Sequence, residues 1–346
     1  MSAYLKGNLA YSVRRGDWQQ KWTNPERSFA SATHVYVVSL LRRIDRRRDM
    51  ERLRSTLGLH WSYLEAKDAD DAIIPGIFER IKLERSNNGN LSYTSERIKT
   101  ANFLWPTDIS SLALSTDPLI NAGADDWVSV STVDPGHQPS VPPLTCAIQD
   151  NVIPEYNSSI PAYMMLTPAK VACWHSHVSV IRKIANAPGP LDQVSVILED
   201  DIDMEYDIKE RLSSMWPALP AQWDMIFLGH CWSNESMYPP LLLPSSTPSP
   251  LHPSNAPKCT HAYALTKAGA RRLLLHLRYP PFAYSRALDQ AYAWLIQSGR
   301  LTAFSVVPSV VIQRKVGESD VWNDKVGYSN GSRWRDELVH GVLGAG

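Results

Sequence analysis

The spacing of apolar positions changes along this chain, and each change marks an element. Residues 34–40, His-Val-Tyr-Val-Val-Ser-Leu, are a nearly continuous β-branched and aromatic run that predicts a buried first strand. Behind it, Ile44, Met50, Leu53 and Leu57 follow helical spacing up to Gly58, the residue type favoured just past a helix end. The same reading predicts a helix opened by Thr167-Pro168, a strand over 194–198, a short helix over 208–215 and a strand over 224–228. Farther along it predicts a strand over 261–265, a helix over 267–277, a helix around 286–296 and a strand over 302–307. Strands alternating with helices imply an α/β fold, with a mostly parallel central sheet flanked by helices on both faces.

Two stretches break the alternation. Residues 106–161 and 233–257 are rich in Pro, Ser, Asp and Asn without sustained periodicity, and are expected to be long surface loops. With no internal repeat and no clean linker, the expectation is one domain over 34–315 carrying these two insertions. Residues 1–33 are then a polar N-terminal arm and 316–346 a C-terminal tail.

The chain has 346 residues, enough for a large core, and its 35 basic and 35 acidic side chains cancel. That balance argues against nucleic acid or an anionic membrane surface as partner, so any charged ligand must be held locally. Cys146, Cys173, Cys231 and Cys259 form no CxxC pair, which speaks against a zinc ribbon or a disulfide scaffold and reads as free thiols with room for one bridge. Residues 1–33 contain no apolar run suited to a signal peptide or a spanning helix, so the expectation is a soluble, by default cytoplasmic chain with no transmembrane segment. Asn-x-Ser sequons at Asn90, Asn157, Asn234 and Asn330 keep a secretory compartment open. Nothing in the chain sets its oligomeric state.

The chemistry concentrates at 194–203, where an apolar strand runs into Glu199, Asp200, Asp201 and Asp203. Ligand sites in open α/β sheets lie at the carboxyl ends of strands. Two carboxylates about 4 Å apart repel by roughly 4 kcal/mol at an effective dielectric of about 20, so the cluster must splay, hold a proton or bind a cation. An all-oxygen set suits Mg²⁺ or Mn²⁺; the bland alternative is an acidic turn capping the helix that follows. On the helix after Pro168, Val171, Trp174, Val178, Ile181 and Ile184 share a face that includes His177, while Ser176 points away. His177 on an apolar face reads first as a core residue, and His175 and His177 diverge too far to be a His-x-His metal pair. Arg42, Arg43 and Arg46 follow the first strand closely enough to meet a diphosphate, whereas Arg47, Arg48, Arg52 and Arg54 read as a solvated face. Asp289, early in an amphipathic helix, is a candidate general base for an acceptor hydroxyl. Trp174, Trp223 and Trp232 could stack on sugar faces, with core packing the default.

Taken in order, these blocks resemble glycosyltransferase family 25, which includes lipooligosaccharide and collagen galactosyltransferases. Residues 35–40 with Arg42-Arg43-Ile44-Asp45-Arg46 resemble the family's first strand and its Arg-Arg-x-Asp-Arg signature. Ala66-Lys67-Asp68 is similar to the Ala-x-Asp-Gly after the second strand, and Ala172-Cys173-Trp174-His175-Ser176-His177 to Gly-Cys-x-x-Ser-His. Glu199-Asp200-Asp201 matches the Glu-Asp-Asp element, and residues 223–229, 260–270 and 288–289 continue the order; the likeness spans about 34–315. The chain departs from the pattern at Ala69 and Ala172, where glycine is usual.

The resemblance implies a GT-A type fold and an inverting, metal-dependent transfer of a sugar, most commonly galactose, from a UDP-sugar to a hydroxyl on a glycan or glycoprotein acceptor. It implies Mn²⁺ or Mg²⁺ on Glu199, Asp201 and Asp203, with Asp200 and His177 beside the nucleotide sugar. Ser39, Arg42, Arg43, Arg46 and Asp68 would then contact the nucleotide, and Asp289 would act as base. Two rivals remain. A metal-dependent phosphohydrolase would release phosphate without a sugar acceptor, and a non-catalytic nucleotide-sugar-binding module would bind without turnover.

Overall fold

The computed structural model describes residues 32–87, 103–119, 127, 143–148, 151–314 and 337–344. The first half of the fold comprises β1 (His34–Ser39), α1 (Ile44–Leu57), β2 (Ser62–Glu65), α2 (Ile73–Asn87), α3 (Ile109–Leu114) and α4 (Pro168–Ala185). Next come β3 (Val194–Glu199), β4 (Ile202–Met204), α5 (Ile208–Met215), β5 (Met225–Phe227) and β6 (Leu251–Pro253). The chain continues through β7 (Ala262–Thr266), α6 (Lys267–Leu277), α7 (Leu288–Gln297), β8 (Ala303–Val306) and β9 (Val311–Gln313).

Seven strands form one mixed sheet in the order β2-β1-β3-β7-β5-β8-β6. β2, β1, β3, β5 and β8 run the same way, while β7 and the edge strand β6 run against them. β4 and β9 pair separately as a short antiparallel ribbon. The period-2 alternation of the strands divides the core in two. Tyr36, Val38, Ile197, Phe227 and Tyr263 pack toward α2, α3, α4, α6 and α7. Val35, Val37, Leu198, Ile226 and Ala264 pack toward α1 and α5. The sheet is therefore covered on both faces, as the alternation of elements predicts.

Local signals explain most element ends. Thr167 accepts a hydrogen bond from the Lys170 amide, with Pro168 in the first turn, and Thr266 does the same for Gly269 at the start of α6. Gly58 closes α1 in the left-handed conformation, at φ 57°. Ile44, expected on the buried stripe of α1, is exposed; the stripe begins at Met50.

Both long loops are more structured than their composition suggests. The first contributes α3, whose Ile109 and Ala113 are buried, and a segment in which Thr145 and Cys146 are buried; its residues 120–126, 128–142 and 149–150 lie outside the described part. The second supplies β6, with Leu251 fully buried. Proline hides such a strand from propensity reasoning, yet β6 is at the sheet edge, where a missing ladder N–H is tolerated. Residues 1–31 and 315–336, most of the expected arm and tail, are outside the described residues. Residues 337–344 pack back onto β4: the amides of Val339 and His340 donate to the Glu205 carboxylate, and that of Leu343 to Asp203. No described helix is long and apolar enough to cross a membrane.

On α6, His276 is buried against the ring of Trp105, with Nδ1 on the Arg272 carbonyl and Nε2 without a hydrogen-bond partner among the described residues. Burial depresses its pKa from 6.5 to about 4. Its contribution to stability is thus full above the unfolded value and is lost as pH falls through that window. The loss is worth up to about 3 kcal/mol at roughly 1.4 kcal/mol per pH unit. Denaturant melts of the wild type should lose stability between pH 7 and pH 4 faster than those of His276→Leu. Equal slopes would contradict the assignment.

Candidate active site

The acidic segment sits where β3 leaves the sheet, and alternation separates its side chains. Ile197 belongs to the core on the α4 face and Leu198 to the core on the α1 face, so Glu199 turns toward α4 and Asp200 toward α1. Antiparallel pairing of Leu198 with Ala262, extended by the Glu199 amide donating to the His261 carbonyl, brings Thr260 against Glu199. The Thr260 hydroxyl donates to Glu199 Oε1 at 2.6 Å, and His177 Nε2 lies 3.2 Å from the same oxygen.

Burial would raise the Glu199 pKa, but the hydrogen bonds of His177 and Thr260 and the charge of His177 outweigh it and hold the carboxyl below its usual range. His177 is itself fixed, with Nδ1 2.9 Å from the Tyr263 hydroxyl, which in turn reaches Tyr292 at 3.2 Å. His177 is therefore both a buried helix residue and a polar contact of the acidic strand. His175 turns to Tyr284, so the two histidines do diverge.

Asp200 is buried against Arg46 at 3.1 Å and the Ser39 hydroxyl; burial raises its pKa and these donors offset part of the rise. Asp201 shares the same Arg46 nitrogen, also at 3.1 Å, and accepts from Gln313 at 3.2 Å. Its Oδ1 is buried with no hydrogen-bond partner among the described residues. Burial, then the negative charge of Glu199, pushes the Asp201 pKa up. Asp203, expected as a metal ligand, does not join the others. Its Oδ1 accepts from the amides of Met204 and Leu343, so it anchors the 337–344 segment instead.

A cavity of about 1000 Å³ opens at this strand end. Glu199, Asp201 and Arg46 line it, together with Asp289 at the start of α7, Cys173 and Lys170 on α4, Lys258 and Thr260 before β7, and Arg286 and Trp294. Three carboxylates and four cationic side chains thus meet around one space large enough for a nucleotide sugar. Asp289 accepts from the Cys259 amide at 3.4 Å and the Gln290 amide at 2.8 Å, which orients its carboxylate. Burial lowers the pKa values of Lys170 and Lys258. Cys259 is bridged to Cys231, tying down the segment that carries Lys258 and Thr260, while Cys146 and Cys173 remain free thiols.

Other expected contacts lie outside the cavity wall. Arg42 pairs with Asp68, Arg43 with Asp45, and Ser39 accepts from Arg47. Trp174 is a core residue beside Tyr284, Trp223 packs on Trp216, and Trp232 is exposed; Trp294 is the tryptophan that faces the cavity. Lys170, Lys258, Thr260 and Arg286 escape sequence reasoning because they come from three separate segments. Cys173 did leave a signal, four residues before His177 on one helix face. Sγ of Cys173, the His177 ring nitrogen and a Glu199 oxygen lie within 4.8 Å of one another.

Comparison with known protein families finds none that matches this chain, and comparison with curated proteins finds no match either. Function must therefore be argued from the site.

Arg46 holds the buried Asp200 and the partly buried Asp201 at once, and removing one partner of such a group typically costs about 3–5 kcal/mol because it leaves charge uncompensated. Arg46→Met should accordingly lower the free energy of unfolding by an amount in that range, read as a fall in the denaturation midpoint. A midpoint within experimental error of the wild type would show that Asp200 and Asp201 do not depend on this guanidinium.

Proposed function

We propose that the chain is a metal-dependent glycosyltransferase of GT-A type that uses a UDP-sugar, most simply UDP-galactose, and passes the sugar with inversion to a hydroxyl of a glycan or glycoprotein. The observation that carries this reading is the placement of Glu199, Asp201 and Asp289 on the wall of one large cavity at the carboxyl end of β3. The mixed seven-stranded sheet accommodates that architecture.

Two oxygen ligands rather than three face the cavity, which suits Mn²⁺ or Mg²⁺ bound by one or two carboxylates and completed by substrate phosphates. The unpartnered Asp201 Oδ1, beside a second carboxylate that repels it, is the atom such a cation would satisfy. When bound, the cation supplies Lewis-acid stabilisation to a departing diphosphate. The chain's own residues set the rest. Arg46 keeps Asp200 and Asp201 in place, and Thr260 with His177 holds Glu199 ionised and oriented. Lys170, Lys258 and Arg286 supply positive charge around the same space, where a nucleoside diphosphate would be neutralised. Asp289 has both oxygens engaged by backbone amides, which orients it to accept the proton of the attacking hydroxyl. A secretory compartment accords with the Cys231–Cys259 bridge and the exposed sequon residues Asn157 and Asn234.

Asp201→Asn preserves the shape of a side chain that burial already pushes toward neutrality, so the fold should survive. Sugar transfer from the donor should fall by about 10³-fold or more, equivalent to about 4 kcal/mol of transition-state stabilisation. Unchanged turnover would remove Asp201 from the reaction, and phosphate release without an acceptor in the wild type would replace this reading with phosphohydrolysis.

A further inference from the structure

Beside the oxygen ligands lies a second, chemically different donor set. Cys173 and His177 occupy one face of α4 four residues apart, and both point at the end of β3, where Glu199 completes a cluster whose ligand atoms lie within 4.8 Å of one another. Cys173 Sγ is beyond what a Mn²⁺ or Mg²⁺ site uses; thiolate, imidazole and carboxylate together are the donors of Zn²⁺ and similar borderline-soft cations.

The surroundings are built as metal sites are. His177 Nδ1 is held by the Tyr263 hydroxyl, backed by Tyr292, and the Glu199 carboxylate is held by Thr260. Such outer contacts fix ring tautomer and carboxylate orientation before a cation arrives. Cys173 and Glu199 also line the cavity, which gives a cation an entry path from solvent.

We propose that Cys173, His177 and Glu199 form a binding site for a thiophilic divalent cation of the Zn²⁺ class. Zn–S bonds of about 2.3 Å and Zn–N or Zn–O bonds of about 2.0–2.1 Å place tetrahedral ligand atoms roughly 3.3–3.6 Å apart. His177 Nε2 and Glu199 Oε1 already stand at 3.2 Å, and Cys173 Sγ lies within 4.8 Å of the pair, so closure requires only a side-chain adjustment at Cys173. Binding forms metal–sulfur and metal–nitrogen bonds and releases two protons to solvent, that of the thiol and the one His177 Nε2 directs at Glu199. The imidazole keeps one proton, carried on Nδ1 and donated to Tyr263, while Nε2 binds the cation. The site does not depend on sugar transfer, but it takes Glu199 away from the oxygen ligands of the neighbouring site; Zn²⁺ should therefore oppose Mn²⁺-dependent activity.

The test is metal binding by the full chain, stripped with chelator and titrated with Co²⁺ and then Zn²⁺. The wild type should take up one Co²⁺ with a thiolate-to-metal charge-transfer band, which Zn²⁺ abolishes. Cys173→Ser should lose the band and bind Zn²⁺ more than 100-fold more weakly. Cys146→Ser, which alters the other free thiol on the cavity wall, should keep it. Tyr263→Phe retains all three ligands and should weaken binding by roughly 10–100-fold, as loss of an outer-shell partner does. Absence of the band in the wild type, or its persistence in folded Cys173→Ser, would overturn the proposal. Should Cys173→Ser fail to fold, His177→Gln must lose the band, and a band retained there would overturn it equally. Asp201→Asn should bind Co²⁺ as the wild type does, which separates failure of this site from failure of the transferase reading.

Discussion

The structure turns on a single constraint: three consecutive carboxylates at the end of a buried strand cannot all remain charged without partners. Alternation along β3 solves part of the problem by sending Glu199 and Asp200 to opposite faces, where different helices receive them. On the α1 face, Arg46 meets Asp200 and Asp201 through one nitrogen. On the α4 face, His177 and Thr260 meet Glu199. What remains uncompensated is one oxygen of Asp201, and it is buried beside the cavity rather than beside a protein donor. A polar atom left in that condition is expensive in a purely structural role, which is why the segment reads as a ligand site rather than a helix cap.

The elements around the constraint serve it. β1 is parallel to β3 and pairs Val38 with Glu199, so the turn after β1 delivers α1 and Arg46 to the acidic end. β7, antiparallel to β3, begins where β3 stops and hands Thr260 to Glu199. The bridge between Cys231 and Cys259 ties the residue next to Thr260 to the segment after β5. α7 opens with Asp289 across the same space. A chain with no net charge thus concentrates both signs at one place, acidic on the strand side and basic from Lys170, Lys258 and Arg286. That arrangement can hold an anion and a cation together.

Much of this was legible in the sequence because it rests on short-range patterns. The limits of α5 and α6, the cap at Thr167 and the glycine after Leu57 all follow from local chemistry, as does the strand that ends in carboxylates. The separation of Asp203 from the others was not legible, because its partner is an amide 140 residues away. Nor was the edge strand β6, hidden among prolines, or the basic side of the cavity, which is assembled from distant segments. The free thiol of Cys173 carried a signal in its spacing from His177. It became chemically meaningful only when β3 brought Glu199 to the pair.

The most direct measurement is thermal stabilisation of the purified chain by a panel of UDP-sugars, each with and without Mn²⁺. A ligand that binds only the folded state adds roughly 2.7 kcal/mol when present at about 100 times its dissociation constant. The account predicts a rise in Tm with one UDP-sugar that is larger in the presence of Mn²⁺. No rise with any nucleotide sugar, with or without the cation, would contradict it.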